Sequence, residues 1–187
     1  MRNTNDDLEF WVGCDSKKSK NEEATYVTVV CFYHIYLNKE WEYDKNTGER
    51  VEVIKYRGKG AHVIHRVNKV DLLKIMKTDN KKFGDGENIQ LRERLRKETQ
   101  LSVEVGLYLV DKKLLVKEES EKYFYFRKNG NKFDFYVDID YNKHPEFKST
   151  ELTEWAVGYC ESCGFRSRIK PYSFAASYAA DHVLRKK

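Results

Sequence analysis

The chain has 187 residues, of which 40% are hydrophobic and 14% aromatic, and this composition excludes a disordered tail and favours one folded domain over residues 1–187. Its 35 basic and 30 acidic residues give a net charge of +5, a mild excess that permits nucleic-acid binding without demonstrating it. The start of the chain is polar, and the apolar run at 24–36 is too short and too often interrupted to span a bilayer. We therefore expect a cytoplasmic protein that does not bind membranes.

Three strands are predicted in the first third of the chain. Residues 8–15 alternate between apolar and polar side chains, which is typical of a strand, and this strand ends in a single carboxylate, Asp15. Residues 24–37 are rich in β-branched and aromatic side chains and predict a second strand, and residues 51–67 predict a third. The segment 38–50 between them has the pattern of an extended hairpin tip.

Helices and strands alternate in the rest of the chain. The expected order is a short helix within 70–76, a helix at 89–110, an aromatic hairpin at 123–140, a helix capped by Ser149 and stopped by Gly164, a strand at 165–170 and a last helix at 173–186. The order β-β-β-α-β-α-β-α, with an extra strand before the fourth main strand, indicates the α/β class.

One glutamate falls on the apolar side of the first long helix. At 100° per residue, Glu98 lies in the middle of a narrow stripe of inward-facing side chains. The stripe consists of Leu91, Leu95, Ser102, Val105 and Leu109. A lone carboxylate there is costly unless it is ion-paired, hydrogen-bonded or bound to a metal. The alternative interpretation is a glutamate at the edge of the stripe that forms a salt bridge with an arginine or lysine.

Two further acids occupy comparable places. Asp138 lies near the end of a predicted strand whose opposite face is apolar, and Asp140 shares its face. Asp181 lies on the last helix on the face of the apolar side chains Phe174 and Tyr178. The ordinary interpretations are a wet face of an antiparallel sheet for Asp138 and a solvated terminal acid for Asp181.

Taken together, the acids come from two strands and two helices. Open α/β sheets place their sites outside the carboxyl ends of the strands. Carboxylate oxygens that meet there suit Mg²⁺ or Mn²⁺, which are hard cations that prefer carboxylate and water.

Five stretches of the chain resemble, in order, the YkuK-like family of predicted RNase H-related nucleases. They are VGCDSK at 12–17, GKGA at 58–61, LRERLRKETQLSVE at 91–104, YVDID at 136–140 and CGFRSRIKPYSFAASYAAD at 163–181. The resemblance implies an α/β, RNase H-like fold with a mixed five-stranded sheet, in which strands 1–3 are antiparallel and the later strands parallel. It also implies helices on both faces and an extended hairpin between strands 2 and 3, with a hairpin insertion at about 36–56.

The resemblance also implies a metal-dependent endonuclease, a hydrolase acting on RNA, RNA–DNA hybrid or structured DNA, with RNA or hybrid favoured over duplex DNA. Asp15, Glu98 and Asp138 match the acids of the family motifs, and Asp181 falls at a fourth acidic position, with Asp140 as a possible substitute. In this interpretation two Mg²⁺ or Mn²⁺ ions lie about 4 Å apart, and Asp15 bridges both.

Polar side chains beside these acids are candidates for contacts to phosphates. They are Ser16, Lys17, Lys18, Arg166, Arg168 and Lys170. The alternative interpretation is an ordinary solvated basic face.

Two other functions remain open. A non-catalytic RNase H-like module would bind nucleic acid or a protein through the aromatic hairpin around Trp41 and Tyr43, and a lysine or arginine filling the acid site would favour it. A zinc or redox protein would use the CxxC pair Cys160 and Cys163, and requires a further cysteine, Cys14 or Cys31, to approach them. The hairpin edge at 24–66 could also pair with a second chain.

Overall fold

The computed structural model describes residues 6–18, 23–44, 47–71, 86–141 and 152–185. The strands are β1 (Asp6–Lys18), β2 (Glu23–Tyr43), β3 (Arg50–Asp71), β4 (Leu115–Val116), β5 (Tyr125–Lys128), β6 (Asn131–Ile139) and β7 (Arg166–Ile169). The helices are α1 (Gly86–Asp111), α2 (Thr153–Ser162) and a terminal helix that is π-helical over Ala175–Ala180 and α-helical over Asp181–Arg185. The first two residues of the helix expected at 70–76 belong to β3, and the rest, like the proposed cap Ser149, lies outside the described residues.

The described strands form one mixed sheet of mostly antiparallel pairs. β3, β2, β1, β6, β5 and β4 are neighbours in that order, and β7 also pairs with β6. The first three strands are antiparallel, as expected, and the β1–β6 and β6–β7 pairs are parallel. The sheet has seven strands and not five, because β5 pairs with the first half of β6 and β4 pairs with β5.

β2 and β3 form the long hairpin that the sequence predicts. Their pairing runs from Glu23 opposite Asp71 out to Tyr43 opposite Arg50, with one register shift near Tyr33. The chain turns at Gly48, which has a φ of +71° and donates its N–H to the Asp44 carbonyl at 2.8 Å. A positive φ is easily adopted only by glycine, so this residue sets the turn.

Helices cover both faces of the sheet, as expected. On one face, Phe10, Val12 and Phe135 pack with side chains of α1 and α2. On the other face, Trp11 and Val27 pack with the terminal helix. The alternation of side chains along β1 explains this division, and burial on both faces is typical of parallel strands.

The terminal helix lies directly against the backbone of β1. A Cβ atom at Gly13 would lie only 2.5 Å from the Ala176 nitrogen, so the helix can approach this closely only because residue 13 is glycine. Among the described helices, none combines the length and the apolar character that crossing a bilayer requires.

Candidate active site

The register of the two central parallel strands brings Asp15 and Asp140 to one place. β1 and β6 are aligned with Gly13 opposite Asp138. Because side chains alternate along a strand, Asp15 and Asp140, each two residues further, belong to the same face at the carboxyl ends of these strands. The charge of Asp140 accordingly raises the pKa of Asp15.

Glu98 reaches the same region from α1, on the opposite face of the sheet. Its side chain is buried, as the helical stripe predicts, and its Oε1 accepts a hydrogen bond from the Ser16 hydroxyl at 2.5 Å. Its pKa is raised to about 8, a shift caused mainly by burial and in part by the charges of Asp15 and Asp140. The Nε atom of Arg94 lies 4.0 Å away and opposes it only in part.

Asp15 is held in place by a backbone hydrogen bond. Its Oδ1 accepts the N–H of Ser16 at 2.7 Å. Burial, together with the charges of Asp140 and Asp181, raises its pKa to about 6. Within the described part of the chain, no lysine or arginine forms an ion pair with this carboxylate. Asp15 therefore lies at the centre of an excess of negative charge.

Asp140 and Asp181 lie near Asp15 but have basic partners. Asp140 accepts a hydrogen bond from the Ser177 hydroxyl and pairs with the Lys170 ammonium at 3.0 Å. Asp181, on the terminal helix, pairs with Arg185 at 2.7 Å. Ser177 was not among the predicted site residues. Its place four residues before Asp181, on the same helix, was the available signal.

The structure places Asp138 in a different environment. Its carboxylate is fully buried and accepts two hydrogen bonds from Arg168, at 2.8 and 3.1 Å, and one from the Ala175 N–H at 2.7 Å. The Arg168 guanidinium lies over the rings of Trp11 and Tyr136, 4.7 and 4.6 Å from their centroids. Burial raises the pKa of Asp138 to about 6, against the lowering effect of Arg168. This carboxylate ties β6 to β7 and to the start of the terminal helix.

The predicted phosphate contacts divide into two groups. The three basic residues of the short strand region each pair with an aspartate of the neighbouring strand region: Arg166 with Asp134, Arg168 with Asp138 and Lys170 with Asp140. Lys17 and Lys18 are exposed at the end of β1, and Ser16 is hydrogen-bonded to Glu98.

The chemistry of the acid cluster, defined as Asp15, Glu98, Asp140 and Asp181, fits a hard divalent cation. All its donors are carboxylate oxygens, which Mg²⁺ and Mn²⁺ prefer. The raised pKa values of Asp15 and Glu98 indicate buried carboxylates whose negative charge Arg94 offsets only in part. Of the described residues, however, no three histidine, cysteine, aspartate or glutamate side chains are drawn together around one point where an ion could bind.

The cysteines do not form a joint site. All four are free thiols. Cys160, Cys31 and Cys14 belong to three separate apolar clusters, and burial raises the pKa of the Cys160 thiol to about 12. A thiol that is buried and protonated is a poor metal ligand and a poor nucleophile. The structure therefore gives no support to the zinc or redox interpretation.

Comparison with known proteins identifies a family. Residues 50–185 match the ribonuclease H-like family. No curated protein matches the chain, and no solved structure does. The matched range includes Glu98, Asp138, Asp140 and Asp181, whereas Asp15 on β1 precedes it. Because the match covers well over half of the chain and agrees with the YkuK-like motifs, the protein belongs to the ribonuclease H-like family.

Proposed function

We propose that this protein is a metal-dependent nuclease that hydrolyses phosphodiester bonds at the acid cluster. The observation that carries the proposal is that the β1–β6 register places Asp15 and Asp140 on one face of the sheet, while Ser16 holds Glu98 of α1 beside Asp15. Membership of a ribonuclease H-like family supports it. The proposed substrates are RNA, RNA–DNA hybrid or structured DNA, and the proposed cofactor is Mg²⁺ or Mn²⁺, with two ions.

Asp15, Glu98 and Asp140 would hold the two cations, and Asp181 would complete the set. The bound ions would supply charge neutralisation at the phosphate and lower the pKa of a water molecule. Ser16 orients two of these acids, because its N–H binds Asp15 and its hydroxyl binds Glu98. One residue thus fixes the distance between an acid of β1 and an acid of α1.

We assign Asp138 a positioning role in this proposal and give its place in the metal set to Asp140. The oxygens of Asp138 are engaged by Arg168 and the Ala175 N–H, so the residue holds the terminal helix against β6. That helix carries Asp181 and the Ser177 hydroxyl that binds Asp140. Asp138 would therefore act on the site through the helix.

A second candidate function is the non-catalytic module that binds nucleic acid or a protein. The observation in its favour is that three of the four acids have a basic partner: Arg94 lies 4.0 Å from Glu98, and the cations Lys170 and Arg185 pair with Asp140 and Asp181. Both cations are more exposed than the acids they bind, and such pairs exchange readily for a divalent ion. Arg94 offsets the charges of Asp15 and Glu98 only in part, which favours the metal site.

The test is a cleavage assay on labelled single-stranded RNA, duplex DNA and RNA–DNA hybrid with Mg²⁺, Mn²⁺ or EDTA. We expect metal-dependent cleavage that falls by at least about a hundredfold in Asp15→Asn. The matched control is Asp134→Asn, an exposed aspartate at the other end of β6, and it should cleave like wild type. No cleavage of any substrate by the folded wild type with metal would favour the binding module.

A further inference from the structure

Four aromatic rings form a continuous row beside the acid cluster. Tyr33 and Trp11 lie 5.7 Å apart, Trp11 and Phe174 5.8 Å, and Phe174 and Tyr178 5.7 Å, measured between ring centroids. We call these four residues the aromatic ridge. The row begins on the sheet and ends on the terminal helix, where Phe174 is 44% and Tyr178 65% exposed.

The ridge shares its elements with the acid cluster. Trp11 lies four residues before Asp15 on the same face of β1, roughly 13 Å along the strand. At the other end, Tyr178 follows Ser177, whose hydroxyl binds Asp140. A ligand bound to the acids can therefore also reach the exposed rings at this end of the ridge, those of Tyr178 and Phe174.

Packing does not account for the outer rings. Trp11 is buried and belongs to the core, but Phe174 and Tyr178 leave much of their surface in water. Exposed aromatic side chains in a row indicate a binding surface. A row one ring wide offers little area to a protein partner, because a stable protein–protein interface buries about 800 Å² of surface on each partner. Stacking of nucleic-acid bases needs only ring faces, with positive charge for the backbone.

The charge of the chain is of the sign that a nucleic acid requires. The protein has an excess of five positive charges. Lys170 precedes the terminal helix and Arg185 ends it. Each pairs with an acid of the cluster but is more exposed than that acid, so both cations are also accessible to a phosphate beside the ridge. Unpaired bases can stack on rings, whereas bases inside a duplex already stack on each other.

We propose that the aromatic ridge stacks the unpaired bases of a single-stranded nucleic acid whose backbone passes the acid cluster. This inference rests on the proposed nuclease function, which places the backbone of the strand at the acid cluster. It narrows the proposed substrate from the three classes above to single-stranded nucleic acid. Tyr178 and Phe174 are the residues that make the base contacts.

The experiment measures binding in EDTA, where metal-dependent cleavage is absent, by fluorescence anisotropy. The probes are a labelled single-stranded RNA and the same strand with abasic sites in its centre. Tyr178→Leu and Phe174→Leu should each weaken binding of the intact strand by about tenfold. Neither should change binding of the abasic strand. The control is Tyr108→Leu, which removes a 59% exposed tyrosine from α1 and should bind like wild type.

The outcomes separate the two proposals. Equal losses on intact and abasic strands, or no loss, would overturn the stacking proposal even if the cleavage assay succeeds. If the leucine variants lose binding of the intact strand only, and wild type cleaves no substrate, the stacking proposal would stand and the proposed nuclease function would be wrong. A wild-type dimer that Tyr178→Leu dissociates, detected by light scattering, would assign the ridge to a second copy of the chain and overturn the proposal. Unchanged circular dichroism spectra and melting temperatures would exclude misfolding of the leucine variants.

Discussion

The acid cluster and the exposed ion pairs around Glu118 use the same side-chain chemistry with opposite results. Glu118, between β4 and β5, receives hydrogen bonds from Lys132, Tyr125 and Arg127, and these lower its pKa to about 2. Asp15 and Glu98 have pKa values raised to about 6 and about 8 by burial and by neighbouring acids. Around Glu118, cations balance the charge of the carboxylate. In the acid cluster, carboxylates outnumber cations.

The difference shows what each region can do. Exposed pairs such as those of Glu118 are compensated by solvent and add little to stability. Buried carboxylates with raised pKa values oppose folding at neutral pH, because their charged forms are poorly solvated. A protein that keeps such a cluster has a site that a bound cation would stabilise, and perturbed pKa values of this kind concentrate at functional sites.

The largest predicted effect concerns the ion pair of Arg168 and Asp138, which is buried whereas the Glu118 pairs are exposed. Arg168→Ala leaves Asp138 buried without its cation and also removes the guanidinium that lies over two rings, so the free energy of unfolding should fall by about 3–5 kcal/mol. Urea unfolding followed by circular dichroism measures it. Arg127→Ala is the exposed control and should change stability little. Equal effects of the two variants would contradict the distinction between the regions.

The second prediction concerns the pH dependence of stability without metal. Glu98 and Asp15 hold their protons to higher pH in the folded state than in the unfolded state, so the folded state binds more protons between about pH 4 and pH 8. The free energy of unfolding should therefore fall as pH rises through this window. Glu118 has the opposite shift, so its contribution is present above pH 4.5 and is lost only as pH falls toward 2.

Urea unfolding in EDTA at pH 5 and pH 8 tests this prediction. Glu98→Gln should weaken the decline, each pKa unit corresponding to about 1.4 kcal/mol. Glu118→Gln is the matched control, and its free energy of unfolding should fall between pH 5 and pH 8 as steeply as that of wild type. If Glu98→Gln declines as steeply as wild type, the glutamate is not the group that titrates.

The smallest predicted effect concerns Lys170, the cation that pairs with Asp140 at 3.0 Å. If a divalent ion must displace this partly exposed ammonium, Lys170→Gln should tighten Mn²⁺ binding by about threefold, the range of an exposed ion pair. Calorimetric titration measures it, with Lys132→Gln as a control at the Glu118 pairs. Weaker Mn²⁺ binding by Lys170→Gln would show that the lysine supports the cation site.

Much of the fold could be predicted because its patterns are local. The alternation in β1, the aromatic hairpin around Asn129 and Gly130, and the stripe around Glu98 all depend on neighbours along the chain. The strand β4 was missed because two residues, Leu115 and Val116, carry no period. The long β2–β3 hairpin followed from β-branched and aromatic side chains and one turn.

The assignment of the acids could not be completed from the sequence. Asp138 and Asp140 share a face of one strand, and the YVDID motif does not distinguish them. The alignment of Gly13 with Asp138 in the sheet is what places Asp140 level with Asp15. The pairing of β6 with β7 is what brings Arg168 into contact with Asp138. These contacts join residues more than a hundred positions apart or on different strands, and no local pattern encodes them.

The most direct test of the central claim is whether the acid cluster binds a divalent cation. Mn²⁺ would be titrated calorimetrically into wild type, Asp15→Asn and Glu118→Gln under the same conditions. We predict that wild type and Glu118→Gln bind with the same affinity and that Asp15→Asn loses most of the binding. Wild type that binds no Mn²⁺, or Asp15→Asn that binds it as tightly as wild type, would contradict the account.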